Sequence, residues 1–179
     1  MEQLSETRGP LMADSPVIRP AVRGDASAIH AIYAPVVANT AISLELDIPG
    51  VEEIGSRIDT ISAEFPYLAA ELDGEFAGYA YASRFRSRAA YDASVEVTVY
   101  ISRLYRERGI ARRLYASLFA ALQAQGRHTA FAVITLPNDE SVRLHEAVGF
   151  EPAGIWKEAG FKFDRWHDVG CWQKRLAQP

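Results

Sequence analysis

Apolar and polar residues recur with two different periods along the chain, and the period predicts the element at each point. Between residues 95 and 101 the two kinds alternate, which is typical of a β-strand. One predicted face carries Val95, Val97, Val99 and Ile101, and the other carries Glu96, Thr98 and Tyr100. From residue 110 apolar side chains recur every three or four positions, so a helix is predicted there, ending at about residue 125 before Gly126.

The same criteria predict a regular succession of elements over the chain. They are a strand at 17–22, a helix that Gly24 and Asp25 cap, a helix at 51–65, strands at 67–72, 76–84 and 95–101, a helix at 110–125, a strand at 128–134, a helix at 140–148, and strands at 150–157 and 166–176. The last two strands are predicted to pair across a loop at 160–162. The strand–helix–strand unit at 94–134 requires neighbouring parallel strands, so we expect a mixed sheet with helices on both faces.

Length and composition favour a single globular domain. The chain has 179 residues, which is enough for a real core, and we expect the domain to span 16–177 after a loose, flexible tail at 1–15, where Met12 is a possible second start. The net charge of −4 argues against nucleic-acid and membrane-surface partners, and no apolar run is long enough to span a membrane. The lone cysteine, Cys171, lies in an apolar strand and fits a reducing cytoplasm.

An arginine-rich loop joins the strand at 95–101 to the helix at 110–125. Backbone N–H groups at a helix N-terminus favour an anion, and Gly109 and Ala111 would let a phosphate approach the main chain. A plain strand–loop–helix with solvated arginines is the alternative. The segment resembles the acyl-CoA pyrophosphate loop of the GCN5-related N-acetyltransferases (GNAT), Arg/Gln-x-x-Gly-x-Gly/Ala. The resemblance implies cofactor contacts at Val99, Tyr100, Ile101, Arg106, Glu107, Arg108, Gly109, Ile110, Ala111 and Arg112.

A second motif follows in the helix at 140–148. Asn138 precedes this helix and Gly149-Phe150 ends it, as in the same superfamily. The resemblance implies that the Asn138 amide hydrogen-bonds the pantetheine arm of CoA. Where the superfamily usually has a tyrosine that protonates the departing thiolate, this chain has His145, whose ordinary pKa near neutrality suits either a proton donor or an acceptor. A helix cap for Asn138 and an ordinary helix histidine are the alternatives.

Further segments resemble one branch of the superfamily, the phosphinothricin N-acetyltransferases. They are 86–92, 96–101, 136–139, 144–147, 159–162 and 166–169, and the similarity runs from about residue 17 to 176. The resemblance implies an α/β (α+β) GNAT fold: a mixed, mostly antiparallel, twisted sheet of six to seven strands with helices on both faces. It also implies acetyl-CoA as co-substrate, no metal, and a homodimer.

Roles for individual side chains follow from the chemistry of amine acetylation. An ammonium group must lose a proton before it attacks a thioester, and Glu96 faces away from the valines as a candidate general base. The resemblance implies main-chain N–H donors near Tyr100 for the oxyanion. Arg86 and Arg88 could pair with a substrate carboxylate, and Tyr91 could add a donor. By resemblance, Tyr115 and Val169 line the substrate; a helix-surface aromatic and a core strand residue are their alternatives.

These features together predict an acetyl-CoA-dependent N-acetyltransferase for a small amino-acid-like amine, such as phosphinothricin, methionine sulfoximine or methionine sulfone. Acetylation of a peptide N-terminus or a polyamine is an alternative, although Arg88 and Tyr91 suit a cationic polyamine poorly. A non-catalytic acyl-CoA-binding module would not need Glu96 or His145. A phosphohydrolase is less favoured because the loop lacks the Gly-Lys-Ser/Thr ending of a P-loop.

Overall fold

The computed structural model describes residues 15–176, which form one seven-stranded sheet flanked by four α-helices. In chain order the elements are β1 (Val17–Pro20), α1 (Ala26–Asn39), α2 (Val51–Ser62), β2 (Tyr67–Leu72), β3 (Glu75–Arg84), β4 (Ser94–Ile101), α3 (Ile110–Ala124), β5 (Thr129–Thr135), α4 (Asp139–Ala147), β6 (Glu151–Lys162) and β7 (Arg165–Arg175). The predicted tail at 1–15 lies outside the described residues, apart from Ser15. No helix within the described part is long and apolar enough to cross a membrane.

The sheet has the order β1-β2-β3-β4-β5-β7-β6, and only the β4–β5 pair among these neighbours is parallel. Helix α3 makes the crossover between these two strands, as the strand–helix–strand pattern predicts. The prediction of a mixed, mostly antiparallel sheet with helices on both faces is therefore confirmed.

The side chains of β4 point alternately to the two faces of the sheet, and a separate cluster of buried apolar residues lies on each face. Val95, Val97 and their neighbours on one face pack against α3, whose Leu114, Leu118 and Leu122 are fully buried. The other face carries tyrosines that pack against α1 and α2, through residues such as Ile29. Truncating one of the buried leucines to alanine would cost about 2–5 kcal/mol of unfolding free energy.

The parallel pairing of β4 and β5 is short, and this opens the sheet. It joins residues 94–96 to residues 129–131, whereas β4 continues to Ile101 and β5 to Thr135. Beyond Glu96 and Phe131 the two strands part. The gap between their carboxyl-terminal halves gives a ligand access to backbone groups in the middle of the sheet.

Two local predictions are wrong. The last hairpin turns at Phe163 and Asp164, whose φ angles of 54° and 56° suit a tight turn between twisted strands, and residues 160–162 belong to β6. An irregularity between Trp156 and Gly160 interrupts the pairing before the strand resumes. Asp25 precedes α1 but does not cap it with its side chain, because its carboxylate accepts two hydrogen bonds from Arg19 instead.

Candidate active site

A groove begins at the N-terminus of α3. Gly109 occupies the position before the helix with φ 74°, in the left-handed region, and no side chain caps the first turn. The opening N–H groups of the helix are therefore available to an anion, which the helix dipole also favours. A cavity of about 410 Å³ lies over this turn, and Arg106 spans it to Glu140 with a nitrogen–oxygen distance of 3.2 Å.

From this turn the groove runs along the parted edge of β4. Ile101, Arg106 and Leu144 line both the first cavity and the next, and Val99, Tyr100 and Asn138 line both the second and the third. The third cavity, of about 80 Å³, lies between residues 97–100 of β4 and 132–134 of β5 and reaches Tyr115 and His145. The shared lining makes these cavities one passage from the helix N-terminus into the sheet.

Asn138 faces this passage while it caps α4. Its Oδ1 accepts a hydrogen bond from the backbone N–H of Ser141 at 3.2 Å. The cap uses the carbonyl side of the amide, and the amide –NH₂ is the part that could donate to a ligand. The capping alternative is thus correct, and it is compatible with a binding role.

The inner end of the groove holds a buried tyrosine–histidine pair. Tyr115 Oη lies 2.7 Å from Nε2 of His145, and the two residues are 0% and 5% exposed. Nδ1 of His145 lies 2.7 Å from the carbonyl of Ser141, which can only accept. Nδ1 is therefore the protonated nitrogen, and Nε2 accepts from the tyrosine. The alternative of a helix-surface aromatic for Tyr115 is wrong.

Burial shifts the pKa values of this pair in opposite directions. It raises the pKa of Tyr115 well above its ordinary value. It lowers the pKa of His145, against the opposing effect of the hydrogen bond to Ser141. At neutral pH the histidine is therefore neutral and the tyrosine protonated.

Glu96 lies on the tyrosine-bearing face of β4, at the point where the strands part. It is half-buried and is the last residue paired with β5, opposite Phe131. Burial raises its pKa, and the nearby Arg86 opposes this effect. The Cα atom of Thr98 lies two residues, or about 7 Å, further along the strand. Thr98 lines the third cavity, which is the inner one. Glu96 is thus adjacent in the strand to the residues that line that cavity.

The segment after β3 brings polar groups toward Glu96. Phe85 stacks on Phe131 with the ring centroids 4.1 Å apart, and the Arg86 guanidinium lies 4.5 Å above the Phe85 ring. Tyr91 contacts the edge of Phe85 with the centroids 5.9 Å apart. Arg88 is exposed in the same segment. Phe85, Arg86 and Tyr91 thus lie on the side of Phe131, the residue paired with Glu96, whereas no contact among the described residues places the Arg88 side chain there.

Comparison with known proteins identifies the family. Residues 18–170 match the family model of an acetyltransferase (GNAT) domain. The chain belongs to the GNAT acetyltransferases.

Relatives of this GNAT acetyltransferase cover most of its length. It is 38% identical over 162 residues to a phosphinothricin N-acetyltransferase of Streptomyces viridochromogenes, covering 90% of this chain and 88% of the relative. It is 30% identical to an L-methionine sulfoximine/L-methionine sulfone acetyltransferase of Salmonella typhimurium, covering 89% and 94%. The crystal structure of a phosphinothricin acetyltransferase from Sinorhizobium meliloti in complex with acetyl-CoA has a TM-score of 0.86 and 37% identity, covering 90% and 89%.

Most of the predicted cofactor contacts of the acetyltransferase meet in the groove. They are Val99, Tyr100, Ile101, Arg106, Glu107, Gly109, Ile110, Ala111, Arg112 and Asn138, with His145 and Tyr115 at the inner end. Arg108 lies outside this lining, with its guanidinium 5.7 Å from the centre of the Tyr105 ring. Val169 is buried in β7, paired with Thr135 and Trp156, as its core alternative predicts.

Several residues that line the groove of the acetyltransferase are not predicted from the sequence. Ser141 could have been found, because it lies one helical turn before His145 and its carbonyl orients that ring. Glu140 and Leu144 follow from the same helix. Ile42 belongs to no motif and reaches the groove only through the fold. Among residues 15–176 no cluster of His, Cys, Asp or Glu could hold a metal ion, and the expectation of no metal stays a prediction.

Proposed function

We propose that this acetyltransferase moves an acetyl group from acetyl-CoA to the α-amino group of a small amino-acid-like substrate. Phosphinothricin, methionine sulfoximine and methionine sulfone are the substrate type, and transfer is direct, within a ternary complex. One observation carries the proposal: a continuous groove joins the open N-terminus of α3 to the buried pair of Tyr115 and His145. The names of the full-length relatives support the choice of substrate.

The order of the binding groups along the groove matches the order of the diphosphate, pantetheine and acetyl groups in acetyl-CoA. The N–H groups after Gly109 would hold the diphosphate, with Arg106 and Arg112 as counter-charges. The parted edge of β4 at residues 97–101 and the Asn138 amide would hold the pantetheine arm. When bound, acetyl-CoA supplies an electrophilic carbonyl carbon and a sulfur leaving group. Backbone N–H groups near Tyr100 would stabilise negative charge on that carbonyl oxygen.

Glu96 is the proposed general base. The substrate arrives as an ammonium ion, and its nitrogen attacks only after it loses a proton. Because burial raises the pKa of Glu96, this carboxylate is a stronger base than an exposed one. Its position beside the inner cavity favours proton removal through one water. The base works when deprotonated, so activity is expected to fall as the pH drops through the raised pKa.

His145 and Tyr115 are the proposed proton reservoir at the leaving-group end. Neutral His145 accepts from the hydroxyl of Tyr115, so the exchangeable proton of the pair resides on Tyr115 Oη. We assign the pair the return of a proton to the departing sulfur: an S–H bond forms as the O–H bond of Tyr115 breaks, and the second proton that the amine nitrogen loses as the amide forms restores the hydroxyl. Their burial keeps bulk water from competing for this proton.

Charge favours an amino acid over a polyamine as the acceptor. Arg86, near Glu96, and the exposed Arg88 of the same segment carry forked donors that suit a substrate carboxylate, and Tyr91 adds a hydroxyl. These cations would repel a second ammonium group.

A thiol-release assay tests the proposal. The purified protein is mixed with acetyl-CoA and, in turn, phosphinothricin, methionine sulfoximine, methionine sulfone, a peptide with a free N-terminus, and spermidine. We expect release of free CoA with the first three acceptors and much less with the last two. Calorimetric binding of acetyl-CoA without thiol release from any acceptor would instead favour the acyl-CoA-binding module.

We further propose a cytoplasmic homodimer that confers resistance to phosphinothricin. Strand β6 forms one edge of the sheet and exposes Ile155 and Trp156, and exposed apolar edges are typical of interfaces. Light scattering should give twice the chain mass, and Trp156→Glu should lower it. Bacteria that express the chain should grow on phosphinothricin, while cells that express the Glu96→Gln variant should not.

A further inference from the structure

Lys162, near the end of β6, is a buried cation outside the groove. The residue is 4% exposed, and its Nζ donates to the carbonyl of Val37 at 2.7 Å and to that of Ser43 at 2.8 Å. Val37 belongs to the last turn of α1, where carbonyls lack helical partners and a positive charge is favoured. One ammonium group thus joins β6 to the end of α1 and to residues 40–49, which we call the α1–α2 connection.

A second contact holds the α1–α2 connection against the same strand. A Cβ atom added at Gly160 would lie only 2.4 Å from Cδ1 of Leu44. Leu44 therefore packs directly on the bare backbone of β6, two residues before Lys162. The backbone angles at Gly160 are open to any residue, so its small size matters here for this contact alone.

The opposite side of the connection is tied to both helices. Tyr33 Oη lies 2.7 Å from Oγ of Ser43 and donates to Glu45 at 2.9 Å. Arg57 of α2 donates two hydrogen bonds to the same carboxylate, at 2.7 and 3.0 Å. The connection is therefore clamped between the two helices and the β6–β7 hairpin.

We call these contacts of Lys162, Gly160, Tyr33 and Arg57 with the α1–α2 connection the clamp. Ile42 lies in the segment that the clamp holds. Its side chain is 43% exposed and lines the inner cavity opposite Val133, Ser141 and His145. It also lines the neighbouring cavity beside Asn138. A shift of the connection would move this wall of the groove at the point where acetyl group and amine must meet.

We propose that Lys162 is a positioning residue that fixes the α1–α2 connection against β6 and thereby sets which amines fit beside Ile42. This inference rests on the proposed function of the groove. Lys162 touches neither reactant and acts through the wall that it holds in place. The diphosphate end, about the N-terminus of α3, is not part of this clamp.

Three variants of the full-length protein test the inference. Lys162→Met keeps the length of the side chain and removes both hydrogen bonds, and Gly160→Ala disturbs only the contact with Leu44. Lys157→Met is the matched control, because Lys157 lies on the same strand but is exposed and pairs with Asp168. Each variant is assayed for KM and kcat with phosphinothricin and with methionine sulfone, for acetyl-CoA affinity by calorimetry, and for amide hydrogen exchange.

We expect Lys162→Met to raise the KM for methionine sulfone about tenfold and to change the ratio of kcat/KM between the two amines. Gly160→Ala should shift both quantities in the same direction by less. Acetyl-CoA affinity should change by less than the KM for methionine sulfone in both, since Ile42 also lines the cavity beside Asn138 but the diphosphate end is untouched. Amide exchange within residues 40–49 should accelerate in both variants. Lys157→Met should match the wild type throughout.

Two results would overturn the inference. One is an unchanged KM and amine preference in Gly160→Ala together with wild-type exchange at 40–49, a test that stands even where Lys162→Met does not fold. The other is an equal loss of acetyl-CoA and amine binding, which would indicate a general structural role. Failure of the proposed function is separate, because it would show as no thiol release by the wild type, while the exchange measurement still tests the clamp.

Discussion

The two ends of the groove are built in different ways. The diphosphate end is wide, at about 410 Å³, and most of its lining comes from one stretch of chain, residues 101–112. The acetyl end is narrow, at about 80 Å³, and its lining comes from the α1–α2 connection, β4, α3, β5 and α4. The first offers backbone groups and exposed arginines, whereas the second offers buried side chains with shifted pKa values. Under the proposed function, cofactor binding and proton transfer would thus fall to separate parts of the fold.

This division predicts that the largest effect on turnover comes from Glu96→Gln. The substitution keeps the shape of the side chain and removes the proposed base, so kcat should fall by about 10²–10⁴-fold. Acetyl-CoA affinity should stay within about twofold, because the diphosphate end is unchanged. Steady-state kinetics and calorimetry measure the two quantities. Glu151→Gln, an exposed position on β6, is the control. Unchanged turnover would remove Glu96 as the base.

The pH dependence of kcat/KM is a second test of Glu96 as the general base. Because burial raises the pKa of Glu96, the acidic limb of kcat/KM should lie above the ordinary carboxylate pKa of 4.5. Activity is expected above that limb, where the carboxylate is ionised, and lost below it. The residual activity of Glu96→Gln should lack this limb. An identical limb in the variant would assign it to another group.

The next largest effect is expected from the buried pair. Tyr115→Phe removes the hydroxyl and should lower kcat about tenfold or more, with acetyl-CoA affinity little changed. Tyr67→Phe, another buried tyrosine outside the groove, is the control. Since Tyr115 and His145 are hydrogen-bonded, a double variant with His145→Gln should be no slower than the slower single variant. Multiplying losses would show that the two residues act independently.

The contrast between the two ends also explains which parts of the fold and of the site could be predicted from the sequence. The strand at 94–101, the helix from 110 and the loop between them have local signatures, so these elements could be predicted directly. The hydrogen bond between Tyr115 and His145 joins residues 30 positions apart, and no spacing rule indicates it. Ile42 lines the groove on a segment whose contacts are also distant in sequence: Lys162, which donates to the Ser43 carbonyl, lies 119 residues beyond Ser43. The sequence predicts the last hairpin turn at residues 160–162, where Gly160 suggests a loop. In the structure Gly160 packs against Leu44 and the chain turns at Phe163 and Asp164.

At the diphosphate end the expected effect is on binding. Gly109→Ala forces a side chain into the left-handed region at φ 74° and should disturb the first turn of α3. We expect acetyl-CoA affinity to fall about tenfold, with kcat at saturating acetyl-CoA unchanged. Gly126→Ala is a closely matched control at the other end of the same helix, with φ 73° and open space around it. Both variants should lose about 1 kcal/mol of stability. Equal acetyl-CoA affinity in the two would count against the diphosphate assignment.

The smallest effect is expected at Asn138, where the two ends of the groove meet. Asn138→Ala removes both the cap on Ser141 and the amide donor, and should cost about 1 kcal/mol of stability as well as acetyl-CoA affinity. Asn138→Ser preserves the cap and loses only the donor, so stability should be retained while affinity falls about threefold. Thermal unfolding and calorimetry separate the two effects. If Asn138→Ser binds acetyl-CoA like the wild type, the residue serves as a cap alone, and the pantetheine arm is then held by the open edge of β4 without it.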